Sequence, residues 1–315
     1  MSVECVPVID LTPGDTARTR AAIDAACRDW GFFQVTGHGI DAALFDALTG
    51  QMRAFFAQPR KVKQSVSRSE HNPWGYYDQE LTKNTRDWKE IFDFAASSCG
   101  KSVPRWPSRL PGFKDTLVDY YRGCEAVAMR LLRIVCTNLG VPAHAFDGHF
   151  ARGHSSWARL NYYPVCAKPE NPDSVTTPTH GHLGVNHHTD PGVLTVLLQD
   201  RQPGLEVFRR GRWWPVEPLD GALVINVGDI VQVWSNDRYE APLHRVLANA
   251  AAERFSAPFF FCPPYEFDYA PLAPTVDALN PPHYRDINWG HFYAMRTLGD
   301  YADHGDEIQI AQFRV

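Results

Sequence analysis

The stretch His188-Thr189-Asp190-Pro191-Gly192-Val193-Leu194-Thr195-Val196-Leu197-Leu198-Gln199 carries a chemical signal and a structural one. Its apolar end, Leu194–Gln199, is a short strand-like run. Its polar start sets His188 and Asp190 two residues apart, and in a strand the side chains at i and i+2 share a face. Similar runs surround it. Residues 205–208 and 213–216 flank the turn Arg209-Arg210-Gly211-Arg212. Residues 222–227 and 230–234 flank Gly228-Asp229, where Asp229 reads as a turn residue. Residues 244–247 and 254–261 complete the series. Many short strands between Trp157 and Phe261 predict a sandwich or a jelly-roll barrel.

Upstream the pattern turns helical. Residues 15–28 are Ala-rich, and 41–57 carry Leu44, Phe45, Leu48, Met52, Phe55 and Phe56 at helical spacing before Pro59. Residues 114–139 form the longest candidate, ended by Gly140 and Pro142. Helices followed by strands give an α+β chain. We expect a single catalytic domain over 1–315, with a helical portion to about 150, a jelly-roll core at 155–262 and a covering segment at 263–315.

Composition narrows the function. Of 315 residues, 44% are hydrophobic and 21% charged, which is ordinary for a globular chain with a sizeable core. A net charge of −5 without Lys/Arg runs argues against nucleic acid or anionic membrane as the main partner. No run approaches the roughly 18 to 20 apolar residues of a membrane span, and the start shows no signal-peptide pattern. Seven scattered cysteines, none in a CxxC pair, suggest neither a disulfide framework nor a zinc knuckle, and point to reducing cytosol. Oligomeric state does not follow from these features.

Three pairs have strand period 2: His188/Asp190, Arg254/Ser256 and Asn161/Tyr163. His244 lies in another strand-like run. Two imidazoles and one carboxylate on one side of a metal leave its other positions open, as in non-haem Fe(II) oxygenases. A 2-oxo acid and O2 need those open positions, whereas structural zinc fills them with protein ligands. Arg254 with Ser256 suits the far carboxylate of a 2-oxo diacid, since guanidinium binds carboxylate bidentately. Read as a hairpin around 250–252, the two last runs place Ser256 opposite His244. In a jelly roll they would face each other from different sheets. An isolated HxD pair is a weak signal, and the conjunction of the three pairs carries the reading.

The run His188 to Leu197 resembles the metal motif of 2-oxoglutarate/Fe(II)-dependent dioxygenases of the isopenicillin N synthase-like branch. Asn161-Tyr162-Tyr163-Pro164, Gly221 to Asp229, Leu243-His244-Arg245-Val246 and Arg254-Phe255-Ser256 are similar to that branch, as are Val6 to Leu11 and Trp30 to Ile40. The resemblance spans about Val6 to Pro263. It implies a double-stranded β-helix backed by helices, with His188, Asp190 and His244 as iron ligands. It implies that Arg254 and Ser256 hold 2-oxoglutarate, with Asn161 and Tyr163 nearby. Fe(II), 2-oxoglutarate and O2 would then oxidise a small organic substrate by hydroxylation, desaturation or ring closure. A 2-oxoglutarate-independent oxidase and a non-catalytic binding jelly roll are the competing classes.

Other histidines read as structural. His180, His182 and His187 form a polar loop before the strand, with His187 on the wrong face for Asp190, and His38 sits in Gly37-His38-Gly39. Residues 72–77 with Phe259 and Phe261 could line an apolar substrate pocket, and Arg86, Lys89 or His291 could grip an anion. Six prolines between Pro263 and Pro282 precede a helix-like run at 289–298, which could fold over the barrel mouth.

Overall fold

The computed structural model describes residues 5–69, 71–96, 102–170, 181–298, 305 and 307–315, so His180 and Cys99 lie outside the described residues. Six strands come early: β1 (Val8–Asp10), β2 (Phe32–Thr36), β3 (Gly75–Tyr77), β4 (Leu81–Thr82), β5 (Thr85–Arg86) and β6 (Glu90–Phe94). Among them lie helices α1 (Ala17–Asp29), α2 (Ala42–Phe56) and α3 (Arg60–Gln64), followed by α4 (Phe113–Asn138) and α5 (Asp147–Ala151). The central series is β7 (Trp157–Tyr163), β8 (Leu183–His188), β9 (Leu194–Gln199), β10 (Leu205–Arg209), β11 (Arg212–Pro215) and β12 (Leu223–Val227). Helix α6 (Asp229–Trp234), β13 (His244–Leu247) and β14 (Arg254–Phe261) follow. The chain closes with β15 (Asp268–Tyr269), β16 (Ile287–Asn288) and α7 (Trp289–Thr297).

Two sheets face each other as a double-stranded β-helix. The large one runs β1-β2-β12-β9-β14-β7-β6-β3 and the small one β11-β10-β13-β8. Strand alternation decides which side chains enter the barrel. Along β14, Arg254, Ser256, Pro258 and Phe260 face the lumen, whereas Phe255, Ala257, Phe259 and Phe261 join the core under the helices. Between the sheets, Phe32, Leu197, Leu205, Val207 and Val246 form a smaller apolar cluster. Outside, α4 buries Leu117, Tyr121, Val127, Leu131 and Val135 in the helix–sheet core. Side-chain caps start the neighbouring helices: Thr19 N donates to Thr16 Oγ1 at 3.1 Å, and Ala43 N donates to Asp41 Oδ1 at 2.9 Å. Each such cap contributes about 1 kcal/mol. Gly140, at φ 85°, ends α4 where the sequence predicts.

Three expectations change. The first half is not only helical, since β1, β2, β3 and β6 extend the large sheet. These strands are short and owe their existence to distant partners, such as β12 for β2. Residues 230–234, expected as a strand, are helical, and Asp229 is the buried first residue of α6 instead of a turn residue. Ile230, Val231, Val233 and Trp234 are all buried and only Gln232 is half-buried, too little to reveal the period. The hairpin alternative for 244–261 also fails. Strand β13 pairs with β10 and β8, while β14 pairs with β7 and β9 in the other sheet.

The proline-rich segment holds little regular structure beyond the two-residue pair β15–β16. Trp289 and Phe292 of α7 are fully buried, and Trp289 Nε1 donates to Ser155 Oγ at 2.8 Å. The covering segment is therefore also part of the core.

Candidate active site

His188 ends β8, Asp190 follows it, and His244 begins β13 directly across the ladder from His188. Nε2 of His188 lies 3.6 Å from Asp190 Oδ1, and Nε2 of His244 lies 3.8 Å from the same oxygen. Among the described residues, this is the group whose donor atoms, all within 4.8 Å of one another, could hold a metal ion. The backbone sets the orientation. Nδ1 of His188 faces Asn186 O at 2.8 Å and Nδ1 of His244 faces Pro242 O at 3.0 Å. With Nδ1–H donating to those carbonyls, each Nε2 lone pair is left for a cation.

Asp190 is anchored by its other oxygen. Oδ2 accepts from Thr195 Oγ1 at 2.5 Å and Asn226 Nδ2 at 2.8 Å, which leaves Oδ1 towards the imidazoles. The turn that carries it is braced by the start of α6, whose Asp229 and Ile230 amides donate to Asp190 O and Gly192 O. A Cβ at Gly228 would stand 2.1 Å from Gly192 O, so only glycine permits this approach. Burial, and then the adjacent His244, push the His188 imidazole well below its usual range. Burial opposes ionisation of Asp190, but the two imidazoles and the Thr195 and Asn226 bonds outweigh it and keep its carboxyl low. A neutral imidazole beside an ionised carboxylate is the state a divalent cation requires, so the donor set fits iron.

Arg254/Ser256 and Asn161/Tyr163 meet across one ladder. Arg254 pairs with Tyr163 and Ser256 with Asn161 on β14 and β7. All four line a cavity of about 80 Å³ that also contains His188, Asp190 and His244. Arg254 is 1% exposed. Its Nη2 donates to Gln199 Oε1 at 3.0 Å and its Nε to Gln202 O at 3.3 Å, while buried Nη1 has no partner. Asn161 Oδ1 is also buried and unpartnered, although Asn161 Nδ2 donates to Ser256 Oγ at 3.3 Å. A buried guanidinium with an unpartnered nitrogen, and with no acid within 4 Å among the described residues, fits an incoming carboxylate.

A second cavity, of about 120 Å³, opens on the other side of the triad beneath α7. Sequence reasoning found little of it. Phe260, not Phe259 or Phe261, faces it, and the Trp157 ring packs against Phe260 at a tilt of 31°, 4.4 Å between centroids. Phe259 instead packs on Tyr121 and Phe261 on Phe150, on the helix side. Residues 72–77 do not line it either, and Tyr76 belongs to the helix–sheet core. Of the cations considered, only Lys89 reaches it; Arg86 and His291 are exposed elsewhere. From α7, Arg296 donates to Thr189 O at 3.1 Å and ties that helix to the ligand-bearing turn.

Three other histidines make contacts away from the triad. His187 Nδ1 meets the Asn186 side chain, on the strand face away from the triad. His182 stacks on Trp88, and His38 bridges Gly221 O and the Ile40 amide. Asp229 is buried, and that burial raises its carboxyl to about 6.

Two family models match the chain. The 2OG-Fe(II) oxygenase superfamily covers residues 154–263, and the non-haem dioxygenase in morphine synthesis N-terminal region covers 6–111. Jasmonate-induced oxygenase 2 of Arabidopsis thaliana is 33% identical over 297 residues, covering 92% of this chain and 77% of that protein. Gibberellin 20 oxidase 2 of Oryza sativa subsp. indica is 35% identical over 299 residues, covering 90% and 73%. The crystal structure of JOX2 in complex with 2OG, Fe and JA superposes with a TM-score of 0.82 at 31% identity, covering 95% of this chain and 87% of that one.

Proposed function

Because the chain belongs to the 2OG-Fe(II) oxygenase superfamily, we propose that His188, Asp190 and His244 are its iron ligands and that Arg254 and Ser256 hold 2-oxoglutarate. The enzyme is a dioxygenase that depends on Fe(II), 2-oxoglutarate and O2. The observation that supports the site assignment is a single cavity containing both the donor triad and the unpartnered edge of Arg254. Iron held there supplies the activation of O2 that couples oxidative decarboxylation of 2-oxoglutarate to oxidation of the substrate.

The protein residues hold and orient. Thr195 and Asn226 keep one Asp190 oxygen occupied, so the other stays aimed at the metal. Asn186 O and Pro242 O fix both imidazole tautomers. Arg254 neutralises the far carboxylate of the oxo acid, and Ser256 and Asn161 add hydrogen bonds beside it. The substrate is a small organic molecule that enters the cavity under α7. That helix covers the mouth and keeps water from the reacting carbon. Six unpaired cysteines among the described residues are consistent with a reducing cytosol. No helix among the described residues is long and apolar enough to cross a membrane.

Measuring O2 uptake and succinate release tests this reading: both should require Fe(II) and 2-oxoglutarate together. Uptake that proceeds without 2-oxoglutarate would replace it with an oxidase. Once a substrate is in hand, Arg296→Met, which releases α7 from Thr189, should yield succinate in excess of oxidised product. Equal yields would remove the covering role from α7.

A further inference from the structure

The cavity under α7 is lined by charged groups that pair with one another. Arg159 donates from Nη1 and Nη2 to the two Glu80 oxygens at 2.6 and 2.7 Å. From Nε and Nη2 it also reaches Asp93 at 2.7 and 2.9 Å. Lys89 Nζ lies 2.7 Å from Glu80 and 2.9 Å from Asp87. Behind them Arg68 reaches Asp93 at 3.1 Å and Glu80 at 3.4 Å. Across the cavity Arg296 pairs with Glu307 at 3.4 Å. Four cations thus meet four carboxylates, and every cation facing the cavity already has an acid in contact. Lys89 and Arg159 also border the 2-oxoglutarate pocket, but there Arg254 has no acid within 4 Å among the described residues and keeps an unpartnered nitrogen.

The difference sets what each cavity accepts. A carboxylate entering beside Lys89 or Arg159 must displace Glu80, Asp87 or Asp93, or be buried without a counter-ion. Either is costly, because a desolvated charge needs a partner. A neutral oxygen has no such cost. Of five guanidinium hydrogens on Arg159, four have acceptors in the contacts above, and Lys89 uses two of its three, so each keeps a donor. Beside the charged cluster lies an apolar patch: the Arg159 guanidinium sits 5.0 Å from the Trp157 ring centroid, Phe260 pairs with Trp157 across the ladder, and Val185 and Leu194 line the same cavity.

We propose that the substrate is an uncharged molecule with an apolar body lying towards Trp157 and Phe260, and a carbonyl or hydroxyl oxygen that accepts from Lys89 or Arg159. The inference rests on the site assignment above, with the triad as the metal face and Arg254 holding 2-oxoglutarate. Charge state at this cluster is then the specificity determinant, and Glu80, which bridges Arg68, Lys89 and Arg159, is its centre.

Matched neutral and acidic probes test it. Cinnamamide and cinnamate, and benzamide and benzoate, are titrated calorimetrically into anaerobic enzyme loaded with Fe(II) and 2-oxoglutarate. Each amide should bind about tenfold or more tighter than its acid, the ratio one displaced charge-assisted hydrogen bond corresponds to. Glu80→Gln removes one negative charge and should move that ratio towards the acid by about tenfold. If that variant does not fold, Lys89→Met serves instead: it should weaken amide binding by removing a donor, without improving acid binding. Acids binding as tightly as amides in the unaltered enzyme, or no amide binding at all, would overturn the inference. Failure of 2-oxoglutarate itself to bind the iron-loaded enzyme would overturn the site assignment, and this inference with it.

Discussion

Replacing Arg254 by Ala should abolish the enzyme's preference for an oxo acid with two carboxylates. The guanidinium is buried and held by Gln199 and Gln202, and its Nη1 is left without a partner at the cavity Arg254 lines. One charge-assisted hydrogen bond contributes about 1.5 to 3 kcal/mol, so the loss in 2-oxoglutarate affinity should be roughly ten- to hundredfold. Truncation also empties space beside Gln199 and Gln202, and a second ligand separates that effect from the lost contact. 2-Oxopentanoate keeps the oxo-acid end of 2-oxoglutarate but ends in a methyl group. Calorimetric titration of iron-loaded, anaerobic enzyme should show a large loss for 2-oxoglutarate and little for 2-oxopentanoate. Arg254→Lys should recover part of the difference, because it offers a point charge without the planar fork. Equal weakening of both ligands would reduce Arg254 to a structural role, and unchanged 2-oxoglutarate binding would move the site elsewhere.

Thr195→Val and Asn226→Leu each remove one hydrogen bond to Asp190 Oδ2, and each should weaken iron affinity about ten- to hundredfold while the fold persists. Metal titration of folded variants decides this, and undiminished affinity would show that Asp190 needs no anchor. Beyond α6, Asp237 gathers Arg314, Tyr284, Gln232 and His283. Burial opposes its ionisation, but those bonds, Arg314 first, hold its carboxyl at about 2, below the usual 3.8. A depressed carboxylate stabilises the fold above its unfolded value and loses that contribution as pH falls towards its folded one. Asp237→Asn should therefore melt earlier than the unaltered protein at pH 6, and the gap should narrow from pH 5 to pH 3. A gap independent of pH would mean the cluster acts through packing alone.

The barrel and the iron motif are legible because strand period 2 is a local property. Arg254 and Ser256 share a strand face by spacing, and the ladder brings them opposite Tyr163 and Asn161, whereas His188 ends β8 and Asp190 is brought to it by the turn that α6 braces. Residues whose placement depends on distant pairing are not legible in this way. Strands β1 and β2 are short, and their register comes from each other and from β12. Ile230 to Trp234 is apolar except for Gln232, and one polar position in five residues does not separate a helical period from a strand period. In the run Phe259-Phe260-Phe261 a shift of one residue exchanges the core for the cavity, and the sequence offers three identical side chains to choose among. The charged cluster is the least legible part. Glu80, Lys89, Asp93 and Arg159 come from different strands and loops, and nothing local marks them as partners.

Iron content of single-residue variants tests the central assignment most directly. His187 and His188 are neighbours with opposite facing, so they make a matched pair in which only the strand face differs. Anaerobic Fe(II) binding should be near one equivalent for the unaltered chain and for His187→Ala, and almost absent for His188→Ala and His244→Ala. Full iron in His188→Ala with loss in His187→Ala would contradict the account.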